Sequence, residues 1–521
     1  MNSEKVTNFS YEQFYTSDHF IISILSLFVV LVHLYTNAFA SYGYFRDELY
    51  YLACANHLAW GYVDQPPFSI FVLAVSRFIF GASLFVIRLL PAIVSGLIVF
   101  ITGLMVKRIG GGKIAVIVAC LAVFAAPIFL AMGTYYSMNI FDWLFWVLAA
   151  YTVFLIIAKD DYKHWISLGI ILGLGLLNKI DFLWFGFALF VALVITEQRK
   201  QLKTKFPYIS AAIALVLFLP FVIWNFTHGW ATLQFMHNAT QYKYSSITRL
   251  DFITGLLKLL NPFTVPVWLC GLYFFFFNRE GKKYKTVGII FIVSFLVLLI
   301  NGHSKPEYLA PAFPILFAGG GIFIEKSASK KYWAWLKYAL PSLLLLSGIV
   351  FAPLAIPILP VTTYISYSES LGFAPSSSEG KKLDQLPQFY ADMFGWENMA
   401  AQVSCVYESL PEPDRKDAVV FAHNYGEAGA IDFYRSKYPL PPVICPHNNY
   451  WIWGYGNKKV KVIIIIGGSM EGNLKSLKEV KQAGVIKNEY CMPYENNLPI
   501  FIGRGLKIPI EKIWKAEKNF S

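Results

Sequence analysis

Charge is scarce in this sequence. Only 15% of its 521 residues are Asp, Glu, Lys or Arg, whereas 56% are hydrophobic. A soluble domain carries roughly a quarter charged residues, so this composition excludes one and points to a chain with many membrane spans. The formal net charge of +12 would suit nucleic acid. However, the Lys and Arg lie mostly in short loops between apolar segments, where they set orientation, and no nucleic-acid partner is expected. Cysteine is also sparse. The six residues are scattered, without a CxxC pair or metal-like spacing. Cys54, Cys120 and Cys270 read as packing residues, and Cys405, Cys445 and Cys491 leave room for one disulfide whose pairing the sequence does not give. No GxSxG, HExxH or Walker-type motif is present. The first twenty residues lack a short apolar core ending in a small-residue cleavage site, so the first span is expected to be retained.

Apolar segments of span length (roughly 17–25 residues) lie near 20–40, 83–106, 114–133, 139–158, 165–178, 180–196, 207–224, 252–277, 286–301, 308–324 and 335–357. The fifth and sixth are separated only by Asn178 and Lys179, which suggests a tight re-entry turn. The apolar stretch 66–80 is too short to span and reads as an interfacial helix. With the N-terminus in the cytoplasm, the inner loops hold seventeen Lys and Arg, Lys159 among them. The outer loops hold six: Arg46, Arg77, Lys179, Lys243, Arg249 and Lys305. The positive-inside rule selects this orientation. It places the first loop, 41–82, and everything after Pro360 outside. The expected domains are therefore a membrane domain, 1–357, a Ser-, Gly- and Pro-rich linker, 358–383, and an extracytoplasmic domain, 384–521. In that last domain strands are read at 418–422, 461–466 and 498–502, and helices at 386–410, 426–435 and 473–482. Alternating strands and helices suggest a small α/β domain with a partly parallel sheet. Gly467 and Gly468 follow a strand but lack the dinucleotide fingerprint, so no cofactor is assigned.

The stretch 44–68 gathers Arg46, Asp47, Glu48, His57 and Asp64 with several aromatic side chains just outside the first span. Ionisable groups at a membrane boundary are costly unless they act, although a solvated connector would look similar. Asp142 near the outer end of the fourth span, Arg88 in the outer half of the second, Lys179 and Lys305 belong to the same face. Carboxylates suit general-base activation of a hydroxyl. Cations suit binding a phosphate and stabilising it as a leaving group. The bland alternative makes Arg88 and Asp142 a structural ion pair and lets Lys179 and Lys305 snorkel to the interface. His228 and His237 are nine residues apart, which fits no standard ligand pattern, and they read as substrate-loop packing. The segment HNNYWIWGYG, 447–456, could stack on sugar rings, but such aromatic stripes are more often core.

FRDELYY followed by GYVDQPP, then FVIRLLPAIVSGL, an Asp opening the fourth span, LGLGLLNK, the WN…H…W loop and KPEYLAPAFP together resemble the bacterial branch of the dolichyl-phosphate-mannose-protein mannosyltransferase family. LPQFYADMFGWENM and NYGEAGAIDFY carry the resemblance into the tail. These are glycosyltransferases of the GT-C fold, related to the aminoarabinose transferase of lipid A. The resemblance implies a polyprenyl-phosphate-linked sugar donor, an envelope acceptor and inverting transfer on the outer face of a bacterial inner membrane. By position, Asp47 matches the general base, Glu48 its partner and Asp142 a second acidic site. Lys305 and Tyr308 match positions near the lipid phosphate, with Arg46, Arg88 and Lys179 as further matches. Asp64, His228 and His237 fall in the substrate loops. A divalent metal is compatible with this chemistry, but Gln65 stands where many relatives have His, and no metal ligand is assigned. Two other classes fit a polytopic chain. A transporter or flippase of a lipid-linked substrate would show internal repeats and helices broken at the midplane, and no repeat is seen here. A sugar-binding assembly protein would make the loop acids dispensable.

Overall fold

The computed structural model describes residues 18–159, 161–243, 246–377, 379–456 and 460–521. The N-terminal stretch expected to precede a retained span lies almost wholly outside the described residues, as do the side chains of Lys159 and Lys243.

Seven helices among the described residues are long and apolar enough to cross a bilayer: Asp18–Phe39, Leu84–Ile109, Met138–Ala158, Phe206–Thr227, Gly281–Asn301, Pro306–Ala328 and Lys331–Ala355. Two bent pairs raise the number to nine. The segment expected as one straight span at 252–277 is one of them. Arg249–Leu260 and Pro262–Phe277 meet at 88°, because Asn261 takes a positive φ of 68° and Pro262 has no N–H to continue the helix. The other pair turns by 104° between Ile180–Ile195 and Glu197–Lys203. The remaining two expected segments form shorter helices. Lys113–Ala125 stops before Pro127, which starts a separate helix, Pro127–Met132. Tyr162–Asn178 has 17 residues and ends in a tight turn, with Lys179 extended and Ile180–Phe182 already in a 3-10 turn. The interfacial segment forms the helix Phe68–Phe80, whose Phe78 is 92% exposed in a face made of Phe71, Val75, Ile79 and Phe80. An apolar face left open in this way suits lipid rather than water.

The first loop is built on helix α1, Arg46–Asn56. Its first turn carries Asp47 and Glu48, where carboxylates meet the positive end of the helix dipole. The Glu48 carboxylate also accepts from the Phe45 N–H at 2.8 Å, satisfying one of the helix's unpaired donors.

The tail holds a five-stranded sheet: β1, Ala418–Phe421; β2, Val443–Ile444; β3, Val462–Ile466; β4, Leu477–Ile486; β5, Leu498–Leu506. Its order is β2-β1-β3-β5-β4. β1 runs parallel to β2 and β3, and β5 is antiparallel to β3 and β4. The apolar run of β3 is buried throughout because alternate side chains serve two cores. Ile464 and Ile466 pack with Met399 and Ile431, whereas Ile463 and Ile465 pack with Phe501 and Trp514. Helix α2, Tyr425–Tyr434, follows β1. The helix expected at 473–482 is corrected. Only Met470–Ser476 is helical, and from Leu477 the chain pairs with β5 as an edge strand, its polar Lys478, Glu479, Lys481 and Gln482 on the open edge. The linker is not a plain coil either. Val361–Ser370 is a helix, and the residues after it line a cavity wall. All six cysteines are free thiols.

Candidate active site

One cavity of about 480 Å³ opens where the first loop, the neighbouring ends of the spans and the tail meet. Arg46, Asp47, Tyr51 and Asp64 come from the first loop, and Met138, Asn139 and Trp143 from the fourth expected span. Lys179 comes from the re-entry turn, and Lys305, Glu307 and Tyr308 from the segment after the ninth. The linker and tail contribute Ser376, Glu379, Gln388, Asp392, Tyr425 and Asn448.

Asp47 is a partly open carboxylate of this set, with its side chain 33% exposed. The Tyr425 hydroxyl donates to its Oδ1 at 2.9 Å, and Arg46 Nε stands 3.6 Å from the same oxygen. Arg46 is enclosed by carboxylates, 3.7 Å from Glu379 and 3.9 Å from Asp392. It also donates to the Tyr494 hydroxyl at 2.8 Å and lies 5.3 Å from the centre of the Tyr425 ring. Burial pushes the Asp392 carboxyl up to about 6; the Arg46 guanidinium opposes that rise, and Asp47 and Glu379 add to it. Asp64 is held by the Tyr50 hydroxyl at 2.9 Å. At another part of the wall Lys179 pairs with Asp181 at 2.5 Å and sits 4.8 Å from the centre of the Tyr308 ring. Asn178 fixes this turn by donating to the Met138 carbonyl at 2.8 Å.

Other expected site residues lie elsewhere. Glu48 and Arg88 do not line the cavity. They form a buried ion pair, 0% and 1% exposed, with Nε–Oε1 and Nη2–Oε2 distances of 2.9 and 2.8 Å. Glu48 also accepts from the Tyr136 N–H, and Arg88 donates to the Gly43 carbonyl. Arg88 therefore pairs with Glu48 and not with Asp142, and its guanidinium faces a saturated carboxylate rather than a phosphate pocket. Asp142 is buried outside the cavity lining, in the field of Asp181 and Lys179. His228 stacks on Trp224 at 4.3 Å, and His237 is exposed on its helix; neither reaches the cavity. In 447–456, Asn449 accepts from the Val63 N–H at 2.6 Å and Trp453 stacks on His57 at 4.3 Å, so the aromatic stripe is packing between tail and loop. Among the described residues no three His, Cys, Asp or Glu side chains are arranged to hold a metal, and the carboxylates at Asp47 surround Arg46 instead.

The sequence reading missed Tyr425, Glu379, Asp392 and Asp181. Asp392 and Glu379 carry no local signal. Tyr425 does have one: Gly426 and Gly429 follow it at helical spacing, the pattern of a helix face built for close approach.

A model of the dolichyl-phosphate-mannose-protein mannosyltransferase family matches residues 64–224. An uncharacterized protein of Aquifex aeolicus (strain VF5) is 21% identical over 309 residues, which span 57% of this chain and 62% of that relative's length. ArnT from Cupriavidus metallidurans, in the structure bound to undecaprenyl phosphate, superimposes with a TM-score of 0.59 at 13% identity over 93% of this chain and 97% of that one. Its apo structure gives 0.60 at 12% identity over the same shares. The chain has the GT-C fold. The archaeal oligosaccharyltransferase AglB from Archaeoglobus fulgidus, in complex with an inhibitory peptide and a dolichol-phosphate, shares this fold more distantly. Its TM-score is 0.50 at 13% identity, over 88% of this chain and 70% of its own. In this GT-C chain, as the match over most of both ArnT chains shows, the tail is part of the shared architecture.

Proposed function

We propose that this chain is a membrane glycosyltransferase that moves a sugar from a polyprenyl-phosphate-linked donor to a hydroxyl of an envelope acceptor. One observation carries the reading: a single cavity presents a partly open carboxylate, Asp47, together with Lys179, Lys305 and Tyr308. Its volume suits a sugar phosphate, since ligand pockets run from roughly 300 to 1,000 Å³. The lipid-phosphate complexes of two structural relatives support the donor class. In the reaction the acceptor oxygen attacks the anomeric carbon while Asp47 takes its proton. The bond from that carbon to the phosphate oxygen breaks, and the polyprenyl phosphate leaves with the electron pair against the Lys179 and Lys305 charges. Attack opposite the leaving group inverts the anomeric centre. The apolar outer face of Phe68–Phe80 offers the lipid a surface to lie on. The site faces away from the cytoplasm of a bacterial inner membrane, with the N-terminus inside.

The test uses the purified chain in detergent with radiolabelled sugar carried either on undecaprenyl phosphate or on a nucleotide. Transfer from the lipid-linked donor alone is expected, and transfer from the nucleotide sugar in lipid-free detergent would overturn the reading.

A further inference from the structure

We propose that Tyr425, a residue of the C-terminal domain, is the positioning residue for Asp47, so that the tail completes the active site. The inference rests on the glycosyl-transfer reading above. The Tyr425 hydroxyl donates to Asp47 Oδ1 at 2.9 Å. Among the described residues no hydrogen bond reaches Oδ2, which is left to take the acceptor proton. Burial holds the phenol protonated, so Tyr425 keeps its own proton while Asp47 gains one. The ring is itself fixed on two sides, with the Arg46 guanidinium 5.3 Å from its centre and the Tyr50 ring 4.8 Å away.

The element that carries it is fixed too. Asn424 caps α2 by accepting from the Gly426 and Glu427 N–H groups at 2.9 and 3.0 Å. α2 then lies directly on α1. A Cβ at Gly426 would meet Arg46 Cγ at 2.6 Å, and one at Gly429 would meet the Leu49 carbonyl carbon at 2.9 Å and the Tyr50 nitrogen at 3.0 Å. Two glycines one helical turn apart therefore bring Tyr425 within reach of a carboxylate 378 residues earlier in the chain. Without the phenol, the carboxylate turns about its last bond and the near-attack geometry is lost.

The experiment compares Tyr425→Phe with Tyr434→Phe in the full-length chain. Tyr434 is on the same helix but packs against Tyr44, away from the cavity. Turnover is read with the undecaprenyl-phosphate sugar that the parent uses, with water or octyl glucoside as acceptor. For Tyr425→Phe, kcat falls ~10- to 100-fold, the scale of a misplaced catalytic group, while donor KM and melting temperature hold. Tyr434→Phe keeps the parent kcat. An unchanged kcat in Tyr425→Phe, or a loss shared with a lowered melting temperature and a raised KM, overturns the inference. Full turnover in Asp47→Asn removes Asp47 as the base and overturns this inference while leaving a transferase; no turnover of the lipid-linked donor by the parent overturns the transferase reading itself.

Discussion

Adjacent helix positions point about 100° apart, which turns Asp47 into the cavity and Glu48 into the protein against Arg88. Their variants should fail in different ways. Asp47→Asn keeps shape and removes the proton acceptor; turnover is expected to fall ~10²-fold or more with a normal yield of folded protein. Glu48→Gln leaves Arg88 buried without its counter-charge, which costs about 3–5 kcal/mol. It is expected to show as a lowered melting temperature and low yield, with the surviving fraction still turning over donor. Asp392 adds a pH signature. Its carboxyl sits at about 6 in the folded chain against an ordinary 3.8. Between those values the folded chain holds a proton that the unfolded chain has released, so this group's contribution to stability falls as pH rises through the window. The full difference corresponds to about 3 kcal/mol. Asp392→Asn stays neutral throughout. Its melting temperature relative to the parent should climb between about pH 4 and pH 6.5, and a flat difference would show that Asp392 ionises without cost.

At the scale of elements, the contact between α1 and α2 decides whether loop and tail form one site. Gly429 is the position to probe, because any side chain there meets α1 backbone, which cannot swing aside. Gly429→Leu is expected to destabilise the chain by about 1–3 kcal/mol and to lower turnover further than stability alone explains, since it lifts Tyr425 from Asp47. Gly454, with φ of 84° and open space around it, is no guide to this, as a side chain there strains only its own backbone. The pairing of these elements also marks how far the sequence could be read. Asp47, Asp64, Lys179 and Lys305 were legible because charge is rare here and each lies near an apolar run, whereas Tyr308 carries no charge and was offered only by the family resemblance. The split between Asp47 and Glu48 was not, because two neighbouring carboxylates look alike until the helix phase is known. The tail's share, Tyr425, Glu379 and Asp392, depends on a fold that joins positions over 300 residues apart. No local pattern encodes that meeting beyond the Gly426–Gly429 spacing. Likewise 252–277 reads as one span by composition, and only Asn261 before Pro262 hints at the bend that Asn261's backbone makes.

For the whole molecule, orientation in the membrane reduces to one binary choice. α2 of the tail touches α1 of the first loop, and Asn449 and Trp453 bind Val63 and His57 in the same loop. Tail and first loop must therefore share one side of the bilayer, whichever side it is. The charge distribution is what supports the orientation proposed above. On the eleven-span reading of the sequence, seventeen Lys and Arg are expected in the loops opposite these elements and six in the loops on their own side. Such an excess marks the cytoplasmic side because short basic loops resist translocation. A phosphatase reporter that works only outside the cytoplasm should be active when fused after Pro360 and silent when fused after Lys203. A fusion after Phe39, entering the first loop, should match the Pro360 result, since the two segments pack together. Activity at Lys203 with silence at Pro360 would invert the molecule and put Asp47 in reach of cytoplasmic nucleotide sugars, removing the reason for a lipid-linked donor. Activity at Pro360 with silence at Phe39 would contradict the shared side itself, and with it the contact that brings Tyr425 to Asp47.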